Sequence, residues 1–436
     1  MEACSFDQAQ QELGGSNQAK YICKYAKDIN VNTVVIEEKY TDKDYLIDFS
    51  KFHARSFDTP STFTKRLHFF SEKFSTEDFR ETLVNCDEAY LGILRDSYFG
   101  FVVVKPIRDI NGNPFIGRTI LKPYQRNINQ EYRRFIHGGY STSLYGISLD
   151  INSLPFQAQD MAVGACATAA LWTALHPSRD LFGIPSHSPA ELTEISVSFP
   201  HENRNFPSSG LTIMQMINYI HLIGMEAEIL NIGAVAELNS EIGGYMVSDA
   251  AKAYIKAGLP LIATLRLKND KNITGYHAAV ISGYRCDRNG HVKELYVHDD
   301  QIGPYSRVMP DGNFIRWKNE WIDNFGYDEV SVEKLLIPIY PKIRLAFGHI
   351  YNIYLKDKQK AISEGLDTEI YLTQVKDYKR FLLNNSIEDK ETILTNPLPR
   401  FLWIIRTYYD RIPTMDDVYD GTAVFPKKLR TIRFLH

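Results

Sequence analysis

The apolar residues of this chain change period once, in its middle, at Ala257-Gly258-Leu259-Pro260. Upstream they recur at helical spacing. One helix is predicted from about Gly164 to a stop at His176-Pro177, a second after Ser188-Pro189, a third over 212–223 before Gly224, and a fourth over 248–257. Proline in a first turn and glycine just past a last one suit those ends. Downstream the runs become short and apolar or alternating: 261–267, 276–284, 294–298, 305–309 and 314–317. Between them stand Asn269-Asp270, Asn289-Gly290, Gly303-Pro304 and Asp311-Gly312, residues that reverse a chain between antiparallel strands. Helices followed by an antiparallel sheet describe an α+β domain, here over 148–340.

With 436 residues there is room for two or three domains. Residues 1–147 are expected to form an α+β domain of their own. Strands are predicted near 34–38, 89–95 and 99–106, helices near 44–56 and 76–85, and a turn at Asn111-Gly112-Asn113-Pro114. Residues 341–436 read as a mainly helical, aromatic-rich region, with helical patterns over 343–362 and 368–384 and a strand-like run over 401–408. Its Tyr351, Tyr354, Tyr371, Tyr378 and Phe381 are expected to pack in a core rather than bind a ligand.

Lys plus Arg number 49 against 53 Asp plus Glu, and no run of like charge could track phosphates, so a nucleic-acid partner is not expected. The most apolar stretch, 161–175, is shorter than the ~20 residues a spanning helix needs, so no membrane insertion is expected. The first residues lack the basic and apolar segments of a secretory signal, making the cytoplasm the expected compartment. Five cysteines, an odd number with no Cys-x-x-Cys pair, argue against a disulfide or zinc framework. No cofactor is expected. A cysteine that matters here acts as a lone thiol.

Cys166 follows Gly164-Ala165 and precedes a run of strong helix formers, which places it in the first turn of a buried helix. Unpaired N–H groups and the helix dipole there favour negative charge, as a thiol nucleophile requires. The plain alternative is a small apolar side chain in the core. His277, in Gly275-Tyr276-His277-Ala278, opens a strand from which an imidazole can reach a helix N-terminus packed across its end. The following strand ends in His298-Asp299-Asp300, and the Asn289-Gly290 turn brings that end beside His277. Asp299 or Asp300 can then orient the imidazole. Side chains alternate along an extended strand, so only one is expected to face it, with Asp299 preferred. Gln157 and Gln159 precede the cysteine, and either amide could join the Cys166 backbone N–H in an oxyanion hole. The same alternation makes His291, His298, Asp299 and Asp300 a poor metal cage, so no metal is expected.

Over about 154–307 the chain resembles the papain-like cysteine peptidases, in the branch of the double-glycine leader peptidases. The carriers are Leu154-Pro155 with Gln159 before the cysteine helix, Gly210-Leu211-Thr212, Ala257-Gly258-Leu259-Pro260, Tyr276-His277-Ala278-Ala279-Val280 and Val297-His298-Asp299-Asp300. The resemblance implies a papain-like fold with Gln159 at the oxyanion hole, Cys166 as nucleophile, His277 as base, and Asp299 or Asp300 as the orienting residue. It implies hydrolysis of a peptide or isopeptide bond, and the flanking regions, which hold more than half the chain and no catalytic motif, are expected to dock a specific protein substrate. Two alternatives use the same fold: transglutaminase-like acyl transfer through the same thioester, and a catalytically silent binding scaffold.

Overall fold

The computed structural model describes residues 2–57, 59–125, 127–128, 131–158, 165–198, 210–270 and 272–435. In the N-terminal region, β1 (Glu2–Ser5), α1 (Phe6–Leu13), α2 (Asn17–Asp28), β2 (Thr33–Tyr40), α3 (Lys43–Asp48), β3 (Thr64–Phe70), α4 (Thr76–Asn85), α5 (Glu88–Ser97), β4 (Tyr98–Arg108) and β5 (Pro114–Leu121) follow in order. The five strands form one antiparallel sheet in sequence order. Where a strand was predicted over 89–95, α5 stands instead. Asp87 caps it by accepting from the Ala89 and Tyr90 N–H groups, and Leu91 and Leu94, three apart, are buried on one helical face.

The chain then passes through β6 (Asn127–Ile128), β7 (Glu131–Phe135), β8 (Gly138–Leu144) and β9 (Ile147–Ser153). The helical layer is α6 (Cys166–Phe182), α7 (Pro189–Val197) and α8 (Ile213–Leu222). Next come β10 (Glu226–Leu230), α9 (Ile232–Leu238) and α10 (Ser240–Lys256), then β11 (Leu261–Asn269), β12 (Asn272–Cys286), β13 (Val292–Asp299), β14 (Gly303–Asp311), β15 (Asn313–Lys318), α11 (Glu320–Asp323) and β16 (Glu329–Ile339). The helices-then-sheet order is the predicted one, and the class is α+β. β11 pairs with both β12 and β16, so the path through β13, β14 and β15 returns to its start and closes a barrel. Closure removes most sheet edges. Predicted to stop at Pro177, α6 runs on to Phe182. The proline has no N–H for the Thr173 carbonyl, but this helix is buried through Ser178, and its packing holds it together until Gly183 ends it at φ +71°.

α6, α7 and α8 cover one side of the barrel, where Leu171, Leu175, Leu192, Met216 and Ile220 meet Ile262, Val280 and Leu336. On the other side Val247, Ala251 and Tyr254 of α10 join Leu265, Ala279, Ile281 and Trp317. The N-terminal sheet is packed onto the barrel by α2, since Ile22 and Tyr25 share one apolar cluster with Tyr296 and Tyr305. β7 is itself a barrel neighbour, paired with β12 from Gly283↔Phe135 to Cys286↔Tyr132.

The C-terminal region is not mainly helical. It contains α12 (Phe347–Ser363), β17 (Asp367–Gln374), α13 (Val375–Leu383), α14 (Lys390–Thr395), β18 (Phe401–Tyr409), β19 (Ile412–Asp420) and β20 (Lys428–Arg433), with the four strands in one antiparallel sheet. The segment 368–374, predicted as helix, is strand because alternate residues serve two cores. Ile370 and Leu372 enter the barrel cluster, while Tyr371 faces the outer one with Leu402 and Ile404. Tyr351, Tyr354, Tyr371 and Tyr378 are buried as core residues, and Phe381 packs beside them. No helix among the described residues is long and apolar enough to cross a membrane.

Candidate active site

Cys166 is the first residue of α6. Ala165 before it is extended, and the helix behind buries Leu171, Trp172 and Leu175. That packing fixes the helix start against β12 and leaves the half-buried Cys166 at the end of the barrel. The β12–β13 hairpin is reversed by Asp287, whose carboxylate accepts the Asn289 and His291 N–H groups, and by Gly290 at φ +78°. With Val280 opposite His298, the end of β13 lies diagonal to His277.

His277, Asp299 and Asp300 meet there, all buried. His277 Nε2 is 3.0 Å from Asp299 Oδ1 and 3.7 Å from Asp300 Oδ1. Its N–H is not aligned for a hydrogen bond to either carboxylate, so these are ion-pair contacts. The Cys166 thiol is the other group that acts on this ring. With Nε2 turned to the carboxylates, Nδ1 is the nitrogen left for sulfur. Burial works against charge on His277, but Asp299 first and Cys166 second outweigh it and hold the ring well above the usual histidine range. Burial likewise works against the Asp299 carboxylate, yet His277, the Trp321 N–H and the Gln301 N–H keep it below the usual range.

Two features were not legible beforehand. Trp321, on the single turn of α11, donates its indole N–H to Asp299 Oδ2 at 2.8 Å and lies over the imidazole with ring centroids 4.6 Å apart. Only the Asn319 cap before it, accepting from the Trp321 backbone N–H, marks that turn in the sequence. The second feature corrects the alternation argument. Both Asp299 and Asp300 approach His277, because β13 ends at Asp299 and the chain enters a turn at Asp300. Alternation holds only while a strand stays extended. Burial, with Asp299 alongside, pushes the Asp300 carboxyl up to about 7.

His298 stays out of this cluster. Its Nε2 is 2.9 Å from the Leu154 carbonyl, and Nδ1 accepts from the Tyr305 N–H at 3.3 Å. Burial pushes it down to about 4, so the ring is neutral and carries its proton on Nε2. The Tyr305 hydroxyl also accepts the Leu154 N–H at 3.0 Å, which ties the 153–158 segment to the barrel. Gln157 on that segment is buried, and Gln159 lies outside the described residues. His291 sits on the exposed hairpin turn, 3.7 Å from Asp287.

A thiol at a helix start, a charged imidazole beside it and a carboxylate on the imidazole's far nitrogen can together perform nucleophilic attack with proton transfer. No family model matches this chain, and no curated protein matches it. Among solved structures it is similar to the peptidase domain of Streptococcus ComA, described as a bi-functional ABC transporter involved in a quorum sensing pathway. The identity is 15% and the TM-score 0.23, over 42% of this chain and 96% of that one. At that TM-score the likeness supports no inference, and the chemistry has to come from this chain's own side chains.

Proposed function

We propose that this chain is a papain-like cysteine peptidase acting on a specific protein substrate, with Cys166 as nucleophile, His277 as the proton carrier and Asp299 as its positioning residue. The observation that carries this is the buried His277 imidazole, held charged between the Cys166 thiol and Asp299. Sulfur attacks the scissile carbonyl, His277 passes a proton to the leaving amine, and the acyl-enzyme is then hydrolysed by a water that His277 deprotonates. The free N–H groups at the start of α6 can stabilise the oxyanion, and the Gln159 amide is the candidate second donor. The cytoplasm and a protein partner docked through the flanking regions belong to the same proposal. The N-terminal flank is not simply an appendage, because β7 pairs with the end of barrel strand β12.

The test is labelling of the whole chain with a peptidyl acyloxymethyl ketone, followed by mass spectrometry of wild type, Cys166→Ala and His277→Ala. Label on Cys166 alone, lost in both variants, is expected. Equal labelling of Cys4, Cys23 and Cys166, or undiminished labelling without His277, sinks the proposal.

A further inference from the structure

Asp300 is the least satisfied charged side chain of the site. It is 4% exposed, and apart from its own backbone N–H neither carboxylate oxygen accepts a hydrogen bond. Buried carboxylates without donors are rare, because each unmet acceptor loses its hydration without replacement. The proposed peptidase reaction makes no use of this group, since Asp299 already orients the imidazole.

Its surroundings narrow what could meet those lone pairs. A ring nitrogen of His277, an Asp299 oxygen and an Asp300 oxygen lie within 4.8 Å of one another. Nε2 lies 3.0 Å from one carboxylate and 3.7 Å from the other, and it too lacks a well-formed hydrogen bond. Zinc bonds of about 2.1 Å in tetrahedral array set neighbouring ligand atoms roughly 3.4 Å apart, between these two distances. Two carboxylates repel an anion and match a divalent cation in charge. The imidazole nitrogen and the small ligand number suit zinc rather than calcium, which takes six to eight oxygens, or magnesium, which keeps an octahedral shell.

We propose that His277 Nε2, Asp299 and Asp300 form a regulatory binding site for a divalent transition cation of the zinc class. To ligate, Nε2 gives up its proton to solvent, and any proton on Asp300 leaves with it. No electron is transferred. The bound imidazole is neutral with its remaining proton on Nδ1, so it has no lone pair with which to take the thiol proton. On the peptidase reading, occupancy therefore switches turnover off reversibly. The binding itself does not depend on that reading.

The experiment uses the full chain, stripped with a chelator, titrated with Zn²⁺ by calorimetry and with Co²⁺ by visible absorption. Wild type, Cys166→Ala, Asp300→Asn and His277→Gln are compared, with circular dichroism as a check on folding. Because the chain carries 12 histidines and 5 cysteines, the readout is the difference between variants. Wild type and Cys166→Ala should share one saturable site whose affinity falls at least about 100-fold in Asp300→Asn and in His277→Gln, more than losing an outer-shell partner costs. If one of those two variants fails to fold, the other decides. Unchanged affinity in either folded variant overturns the proposal. So does loss of the site in Cys166→Ala, which would put the ion on the thiol, or the lack of any saturable site below about 1 mM. Zinc binding without thiol labelling would remove the peptidase reading and leave this one standing.

Discussion

Replacing Trp321 by Phe keeps an aromatic ring over His277 but deletes the N–H that Asp299 Oδ2 accepts at 2.8 Å. A buried hydrogen bond to a charged group is worth about 1.5–3 kcal/mol, and its loss leaves Oδ2 without a donor. The smaller ring adds a cavity cost of about 1 kcal/mol. Trp321→Phe should thus destabilise the protein by roughly 2.5–4 kcal/mol, read as a lower urea midpoint with unchanged slope. The second consequence is chemical. The lost N–H stabilises the ionised carboxylate, so its removal lets Asp299 take up a proton at higher pH, by about one to two units for 1.5–3 kcal/mol. Once Asp299 is neutral it no longer holds the imidazolium. The acid limb of Cys166 alkylation by iodoacetamide should move toward neutral pH. A variant with the wild-type midpoint and the wild-type pH profile would refute both steps.

Cys166→Ala and His277→Ala should each abolish turnover of the native substrate, with the double variant no worse than either single, because the two groups act as one unit; additive losses in kcat/KM would contradict this. His176, buried on α6 with Nδ1 2.8 Å from the Trp172 carbonyl, is pushed by burial down to about 3. Between pH 6.5 and 3 the unfolded chain therefore binds a proton that the folded one refuses, and stability falls as pH falls, by on the order of 5 kcal/mol across the window. His176→Gln should flatten that acid limb in urea melts at stepped pH, and an unchanged slope would point to other groups. Gly283 on β12 has room for no side chain, since a Cβ there would lie 2.4 Å from Phe135 and 2.8 Å from the Arg134 carbonyl. Gly283→Ala should cost about 1–3 kcal/mol by forcing β7 away from β12; a wild-type melting temperature would mean that the two strands separate easily.

Much of the candidate site was legible because its parts are set by neighbours in the chain. Helix formers behind an extended Ala165 start α6 at Cys166, Ser188-Pro189 opens α7 with a capping box, and Asn289-Gly290 reverses the β12–β13 hairpin wherever these strands end up. Each rests on hydrogen bonds and backbone preferences that act within a few residues. What required the tertiary structure rests on partners far along the chain. Pro177 stays inside a helix, and 368–374 becomes strand, because surrounding cores bury those residues at greater gain than local propensity opposes. β16 closes the barrel by pairing with a strand that ends some 60 residues earlier. Trp321 finds Asp299 from a separate turn. Asp300 turns toward His277 only because the chain bends beyond β13, while Gln18 of α2 donates to its carbonyl at 3.1 Å. A sequence shows which residues can make such contacts. Which ones do depends on the packing of segments tens to hundreds of residues apart, and no local periodicity records it.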